Sequence, residues 1–323
     1  MEEKKELLTP KTDVVFHSLF RVGNEEITKA IISDIIEDKI ESIDLDNDKY
    51  LVKEYTKDKL GILDLKAKLN NGTICNIEVQ LIDKGNTIPR FLWYWSKVNG
   101  GQLKETEDYN DLEKCISILI LDYELKDMKE LVEIQELENL RELEQMEECH
   151  TEWQIFEKKR RKILLTKLME IHIIEIPKAI KMLKKQPQDR IAQWMAFLDN
   201  PNKVEVSKIM EENKDIEKAM GKLKEVSEDE KMRRIAELRE KAILDERSAR
   251  RYAIKELEEG KKRGREEGRQ EGLQEGRQEG LQEGIEQTKR EIVKKLLKKN
   301  MSISEILEIT DLTKDEIEKI IKL

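Results

Sequence analysis

The sequence predicts an α/β core followed by a mostly α-helical C-terminal half, and three observations carry that expectation. From Leu60 to Ile82 apolar and polar residues alternate with period two on either side of Asn70-Asn71-Gly72, the pattern of a β-hairpin. Cys115 to Leu121 (Cys-Ile-Ser-Ile-Leu-Ile-Leu) is short, apolar and β-branched, as a strand buried on both faces must be. Helical spacing governs the segments around these strands and almost everything beyond Asp127.

Taken in chain order, residues 11–21 place Val15, Phe16, Leu19 and Phe20 at helical spacing, with Thr12 or Asp13 available as a cap. A second helix is expected from Glu25 to Ile36, with Ile27, Ala30, Ile31 and Ile35 on one side, and Ile40 to Leu45 is a candidate further strand. After the hairpin, helix returns from Thr87 to Leu103. In the helical middle Pro177, Pro187 and Pro201 punctuate the chain, and Ile191, Trp194, Met195, Phe197 and Leu198 form a compact apolar cluster that must pack somewhere.

From Glu230 to Glu259 charges alternate densely with few apolar positions, the pattern of a long exposed helix. Gly260, Gly264, Gly268, Gly272, Gly276, Gly280 and Gly284 then recur every four residues. Seven glycines cost a helix on the order of 7 kcal/mol relative to alanine. Two readings stay open: a close helix–helix seam between copies of the chain, or a flexible charged tether. In the last segment Ser302 with Glu305, and Thr313 with Glu316, have capping-box spacing, so two helix starts follow a first helix carrying Lys289, Arg290, Lys294, Lys295, Lys298 and Lys299. Such a trihelical unit suits DNA phosphate contact in the helix-turn-helix manner, or capping of an oligomer. The expected organisation is a core over 8–126, a helical middle over 127–229, the charged helix and Glu-Gly repeat over 230–288, and a small helical tail over 289–323.

Composition narrows the class. Of 323 residues, 41% are charged, against about 25% in an ordinary globular chain, which demands elongated helix to carry the excess. No stretch approaches the roughly 18 apolar residues of a membrane span, and Met1-Glu2-Glu3-Lys4-Lys5-Glu6 lacks an apolar signal core. Cys75, Cys115 and Cys149 are few and far apart, which argues against disulfides and a four-thiolate zinc site. The expectation is a cytoplasmic protein without membrane contact. Residues 1–126 carry −7 of the net charge of −9, yet 61–104 is locally +3, either ordinary surface variation or a face for a polyanion. His17, His150 and His172 are scattered, and Cys149-His150 lacks a second ligand pair, so no zinc is expected. There is no Walker-type loop. Trp93, Tyr94 and Trp95 suit either helix packing or stacking on an unpaired base.

The hairpin holds the candidate chemistry. Burying both apolar sets together requires paired residue numbers to sum to an even value, and a three-residue loop with Gly72 in the left-handed position gives 142. Ala67 then faces Cys75, Leu65 faces Ile77, Leu63 faces Val79, and on the other side Asp64 lies directly across from Glu78, with Gln80 diagonally beside it. Two carboxylates about 5 Å apart at Cβ repel unless neutralised. Either a divalent cation such as Mg²⁺ sits between them, or Lys66 and Lys68 compensate a solvated polar face.

The run Gly61-Ile-Leu-Asp64, followed after thirteen residues by Glu78-Val-Gln80, resembles the PD-(D/E)xK nuclease signature. More narrowly, the chain resembles the Rpn-type recombination-promoting nucleases, also called PD-(D/E)xK nuclease family transposases. The resemblance is carried by Pro10-Lys-Thr-Asp13-Val-Val-Phe16 with Leu19-Phe20, by Asn76-Ile-Glu78-Val-Gln80, by Arg90-Phe-Leu-Trp-Tyr94-Trp, and by Tyr109 ahead of the apolar strand. Gln193-Trp194-Met-Ala-Phe197-Leu198 and the Glu-Gly-rich tail extend it over nearly the whole chain.

The resemblance implies a restriction-endonuclease-like core and a metal-dependent DNA endonuclease hydrolysing phosphodiester bonds, with DNA as partner and Mg²⁺, or else Mn²⁺ or Ca²⁺, as cofactor. Asp64 and Glu78 would hold the metal, and Gln80 takes the catalytic place of the motif's lysine. Glutamine supplies no positive charge, so it would orient water or phosphate by hydrogen bonding, and Lys66 on the same face is a substitute cation. Leu63 stands where the motif has proline. Asp13 is either a third acidic group or a helix cap. The alternative is a non-catalytic DNA-binding or assembly protein that keeps the nuclease fold. Self-association through the C-terminal helical region is expected in either case.

Overall fold

A computed structural model describes residues 6–45, 65–104, 106–127, 145–160 and 162–321. The chain divides into two compact units, Met1–Arg247 and Ser248–Leu323. In the first unit, α1 (Asp13–Leu19) and α2 (Glu25–Ile36) precede the short β1 (Ile43–Leu45), then the hairpin β2 (Leu65–Leu69) and β3 (Ile74–Gln80). Next come α3 (Thr87–Gly100), β4 (Cys115–Leu121), β5 (His150–Trp153) and β6 (Met169–Glu175). Helices α4 (Ile176–Lys185), α5 (Arg190–Asp199), α6 (Val204–Glu212) and α7 (Lys214–Glu228) lead into α8 (Glu230–Lys298), which runs on into the second unit.

The six strands form one mixed sheet in the order β1-β2-β3-β4-β6-β5. The β3–β4 and β4–β6 pairs are parallel and the other three antiparallel. A parallel pair needs a crossover, and α3 is part of the one between β3 and β4. The helical reading of almost everything beyond Asp127 is corrected here for two segments: β5 and β6 complete the sheet. Met169-Glu-Ile-His-Ile-Ile-Glu carries three isoleucines among charged neighbours, and it forms a strand because β4 offers an unsatisfied parallel edge beside it.

The sheet has two covered faces. Leu65, Ala67, Leu69, Cys75, Ile77, Val79, Ile116, Ile118 and Ile120 enter the main core with α1, α2, α5 and α7. Leu119, Leu121, Ile171 and Ile173 face the other way, against Phe91 of α3 and Leu125. The apolar cluster of α5 is the hub of the main core, with every residue from Ile191 to Leu198 buried. A helix that deep must satisfy its polar atoms, and Trp194 donates its indole N–H to Asp34 Oδ2 at 2.7 Å. Asp34 also receives Arg190 Nε at 3.1 Å, and Arg190 Nη2 reaches Asp215 at 2.6 Å, tying α2, α5 and α7 together. Asn213 caps α7 by accepting from the backbone N–H of Asp215 and Ile216, and donates to Gln193 Oε1 at 2.7 Å inside the core.

All three cysteines are free and buried. Burial raises their thiols, Cys115 to about 11 and Cys149 to about 12. No helix among the described residues is long and apolar enough to cross a membrane.

In the second unit α8 stays helical through all seven glycines of the repeat, and a Cβ built on any of them would meet nothing within 4 Å. Its end packs Val293 against Ile306 of α9 (Ile303–Ile309) and Ile317 and Ile320 of α10 (Lys314–Ile321), with Leu312 between them. Both expected helix starts are present. Ser302 and Glu305 form a reciprocal capping box, and Glu316 accepts from the Thr313 backbone N–H at 2.8 Å while Lys289 Nζ reaches its carboxylate at 3.0 Å.

The Thr313 backbone donor, then Lys289 and the Thr313 hydroxyl, hold the Glu316 carboxyl down at about 2. A folded-state pKa below the unfolded value of about 4.3 stabilises the tail above that pH, and the contribution is lost as pH falls towards 2. NMR titration of the Glu316 side-chain carboxyl carbon is therefore expected to show a midpoint near 2 in wild type, moving part of the way up in Lys289→Ala and less in Thr313→Ala, which keeps the backbone donor.

Candidate active site

The geometry begins at the turn. Gly72 adopts φ +86°, a left-handed conformation that glycine takes without strain, and its N–H bonds the Leu69 carbonyl at 3.0 Å. Leu69 N–H in turn bonds the Thr73 carbonyl at 2.8 Å, and the Asn71 side chain accepts from Thr73 N–H at 3.0 Å. This three-residue loop sets the ladder Lys68↔Ile74, Ala67↔Cys75, Lys66↔Asn76 and Leu65↔Ile77, in which every pair sums to 142 as the apolar pattern requires. Asp64 lies outside the described residues.

With Cys75, Ile77 and Val79 committed to the main core, alternation turns Asn76, Glu78 and Gln80 to the face that α3 covers. Because β3 is an interior strand, these groups are buried: Glu78 is 1% exposed and Gln80 4%. Gln80 Nε2 donates to Glu78 Oε1 at 2.5 Å, so the structure brings together two of the three residues singled out from the sequence. The same oxygen lies 3.5 Å from Arg90 Nη2, which α3 brings over the sheet from its first turns.

Arg90 is the residue that the sequence argument did not assign a role. Its signal was present, as an arginine one position before the buried Phe91 on the helix following the motif, yet only the crossover geometry places it over Glu78. A carboxylate buried on an interior strand needs cationic compensation, and Arg90 supplies it where Gln80 cannot. Lys66 stands opposite Asn76, one ladder pair before Glu78 on the same face. Asp13 is the first residue of α1 and Thr12 occupies the cap position, without a side-chain cap bond. Asp13 lines a cavity with Lys11, Gln80, Leu81 and Arg239 at the end of β3, and Arg239 Nε lies 3.4 Å from its carboxylate.

The strand ends beside that cavity are fastened by charge. Lys11 Nζ bridges Asp122 at 2.8 Å and Asp199 at 2.7 Å, and Arg247 of α8 binds both Asp122 and the Leu81 carbonyl. Burial alone would raise Asp199, but Lys11 and Lys203 hold it below the usual carboxylate range. Of the α3 aromatics, Trp93 is half exposed, with Tyr94 edge-on at 4.9 Å and Lys97 Nζ 4.2 Å above its ring.

A family model described as PD-(D/E)XK nuclease family transposase matches residues 10–253. The chain belongs to this family. The match runs from before α1 through the whole sheet to the first part of α8. Comparison with curated proteins and with solved structures returns no match. PD-(D/E)XK nucleases generally use divalent metals, and membership supports a nuclease or transposase type of function with DNA as the implied substrate. The described part of the site fits such an ion in kind: Glu78 is a hard oxygen donor held in place by Gln80, the ligand class that Mg²⁺ takes.

The expectation that the three histidines are isolated is corrected. The β5–β6 register brings His150 Nε2 within 2.8 Å of His172 Nδ1, although 22 residues separate them in sequence.

Removing Arg90 takes a compensating cation from the buried Glu78 carboxylate. Arg90→Ala is expected to lower stability by about 1–3 kcal/mol, with Arg90→Lys restoring part of the loss, as urea unfolding of the three proteins would show.

Proposed function

We propose that the chain is a metal-dependent DNA endonuclease that hydrolyses phosphodiester bonds in the cytoplasm. The observation that carries this reading is the ladder ending at Leu65↔Ile77 with Glu78 and Gln80 turned to the α3 face. The sequence pattern that sets Asp64 across from Glu78 has the same parity as this ladder. Asp64 and Glu78 are the metal ligands in this proposal, with Mg²⁺ the favoured ion and Mn²⁺ or Ca²⁺ the alternatives.

A divalent cation in such a site supplies an acidified water and positive charge beside the phosphate. The protein's part is positioning and charge. Gln80 fixes the Glu78 carboxylate by its N–H and offers an amide to water or phosphate. Arg90 supplies the fixed cation of the motif's missing lysine, aimed at the negative charge that develops on phosphate. The half-exposed Trp93, on the same helix, offers a stacking face to an unpaired base.

Isothermal titration of Mg²⁺ or Mn²⁺ into wild type and Asp64→Ala, together with plasmid cleavage, tests this. Binding and cleavage are both expected to vanish in the variant, and cleavage that survives would overturn the site. One observation favours a second reading, a DNA-binding or assembly protein without catalysis: Arg90 and Gln80 already compensate Glu78. That reading requires DNA binding indifferent to Mg²⁺ and to Asp64→Ala, with no cleavage.

We further propose that the glycine-rich part of α8 is a seam between copies of this chain. A helix carrying seven glycines is costly alone, and the open space over each glycine admits the backbone of a second helix. Truncation after Glu259 is expected to lower the oligomeric state measured by sedimentation. An unchanged state would exclude the seam.

A further inference from the structure

The outer edge of the sheet, away from Glu78, holds a second arrangement of ligating groups. In the β5–β6 ladder Glu152 pairs directly with His172, and His150 pairs with Ile174 two residues along, so all three side chains lie on one face. It is the opposite face from Glu78: His172 is level with Ile118 of the main core, whereas Glu78 is level with Leu119 of the α3 side. One ligating atom from each of His150, Glu152 and His172 lies within 4.8 Å of the others. The two imidazoles are nearly parallel, 17° apart, with His150 Nε2 facing His172 Nδ1 at 2.8 Å.

The far side of His172 decides what its near side can do. His172 is 1% exposed, and its Nε2 lies 3.0 Å from Glu170 Oε1, while Lys114 Nζ holds Glu170 at 2.9 Å. A carboxylate accepts only, so Nε2 carries the hydrogen and Nδ1 presents its lone pair towards His150 and Glu152. A carboxylate behind a histidine whose other nitrogen faces further donors is how metal-binding histidines are oriented.

We propose that His150, Glu152 and His172 form a binding site for a transition-type divalent cation, Zn²⁺ being the best match, separate from the Asp64–Glu78 site. Two neutral imidazoles and one carboxylate are a borderline-soft set that selects Zn²⁺ over Mg²⁺ and leave a fourth position for water. Nitrogens about 2.0–2.1 Å from a tetrahedral ion stand roughly 3.3 Å apart, so occupancy asks the rings to separate by about half an ångström, to turn until both lone pairs meet at the ion, and asks His150 to carry its hydrogen on Nδ1. Because β5 is a four-residue edge strand, the ion would staple it to β6.

Titrating Co²⁺ into tag-free full-length protein, followed by the visible absorption of four-coordinate cobalt, tests the site without reference to DNA cleavage. Wild type and Asp64→Ala are both expected to develop the band at one equivalent and to lose it when Zn²⁺ is added. His150→Ala abolishes the band, and Glu170→Gln, which keeps all three ligands, weakens binding about 10- to 100-fold. Thermal melting without metal shows whether each variant is folded, and the exposed Glu152→Gln provides a second ligand variant should His150→Ala unfold. Absence of the band in wild type, or a band indifferent to both ligand variants, overturns the proposal. A band lost in Asp64→Ala but retained in His150→Ala assigns the metal to the other site and overturns it equally.

Discussion

Everything on the β2–β3 hairpin depends on the parity of its register. Each residue of a strand points to one face, so a slip of one position would either turn Leu65, Ala67 and Leu69 to the α3 side or drive Glu78 into the main core. An uncompensated carboxylate there would cost several kcal/mol, as would the lost burial of three aliphatic side chains. The packing that closes the core and the placing of Glu78 are thus one constraint, enforced locally by Gly72 and its hydrogen bond to Leu69 and globally by the isoleucines beneath β3.

The two faces of the sheet divide the labour. One face is closed by helices packed around α5, which is buried from Ile191 to Leu198 and whose Trp194, Arg190 and Gln193 are each answered by a named partner on another element or loop. The other is closed by α3, of which only Thr87 and Phe91 are buried, so that charged and aromatic side chains remain on a helix lying over polar strand positions. The helix-packed core and the buried polar pair of Glu78 and Gln80 therefore sit on opposite sides of the same strand.

Much of this was legible in the sequence, and the failures have a common cause. α2, β4, the hairpin turn and both tail capping boxes follow from local patterns, and the structure reproduces them almost to the residue. The strands β5 and β6 escaped because their charged and histidine positions blur the alternation, and their identity is fixed by the edge they pair with rather than by their own composition. Arg90 above Glu78 and the His150–His172 contact were invisible for the same reason: each needs a crossover or a ladder to join residues 12 and 22 positions apart. Glu78 and Gln80 were legible because a hairpin of known turn is itself a local object.

The three thiols add something different. Each is shut inside the fold with its ionisation pushed well above neutrality by burial. A thiol reacts as its thiolate and only where a reagent can reach it, so burial protects these three thiols from alkylation and oxidation while the chain is folded. Cys75 and Cys115 lie on neighbouring central strands and Cys149 one residue before the edge strand. Their reactivity is consequently a clock for the opening of the sheet, with the edge cysteine and the central pair timing different parts of it.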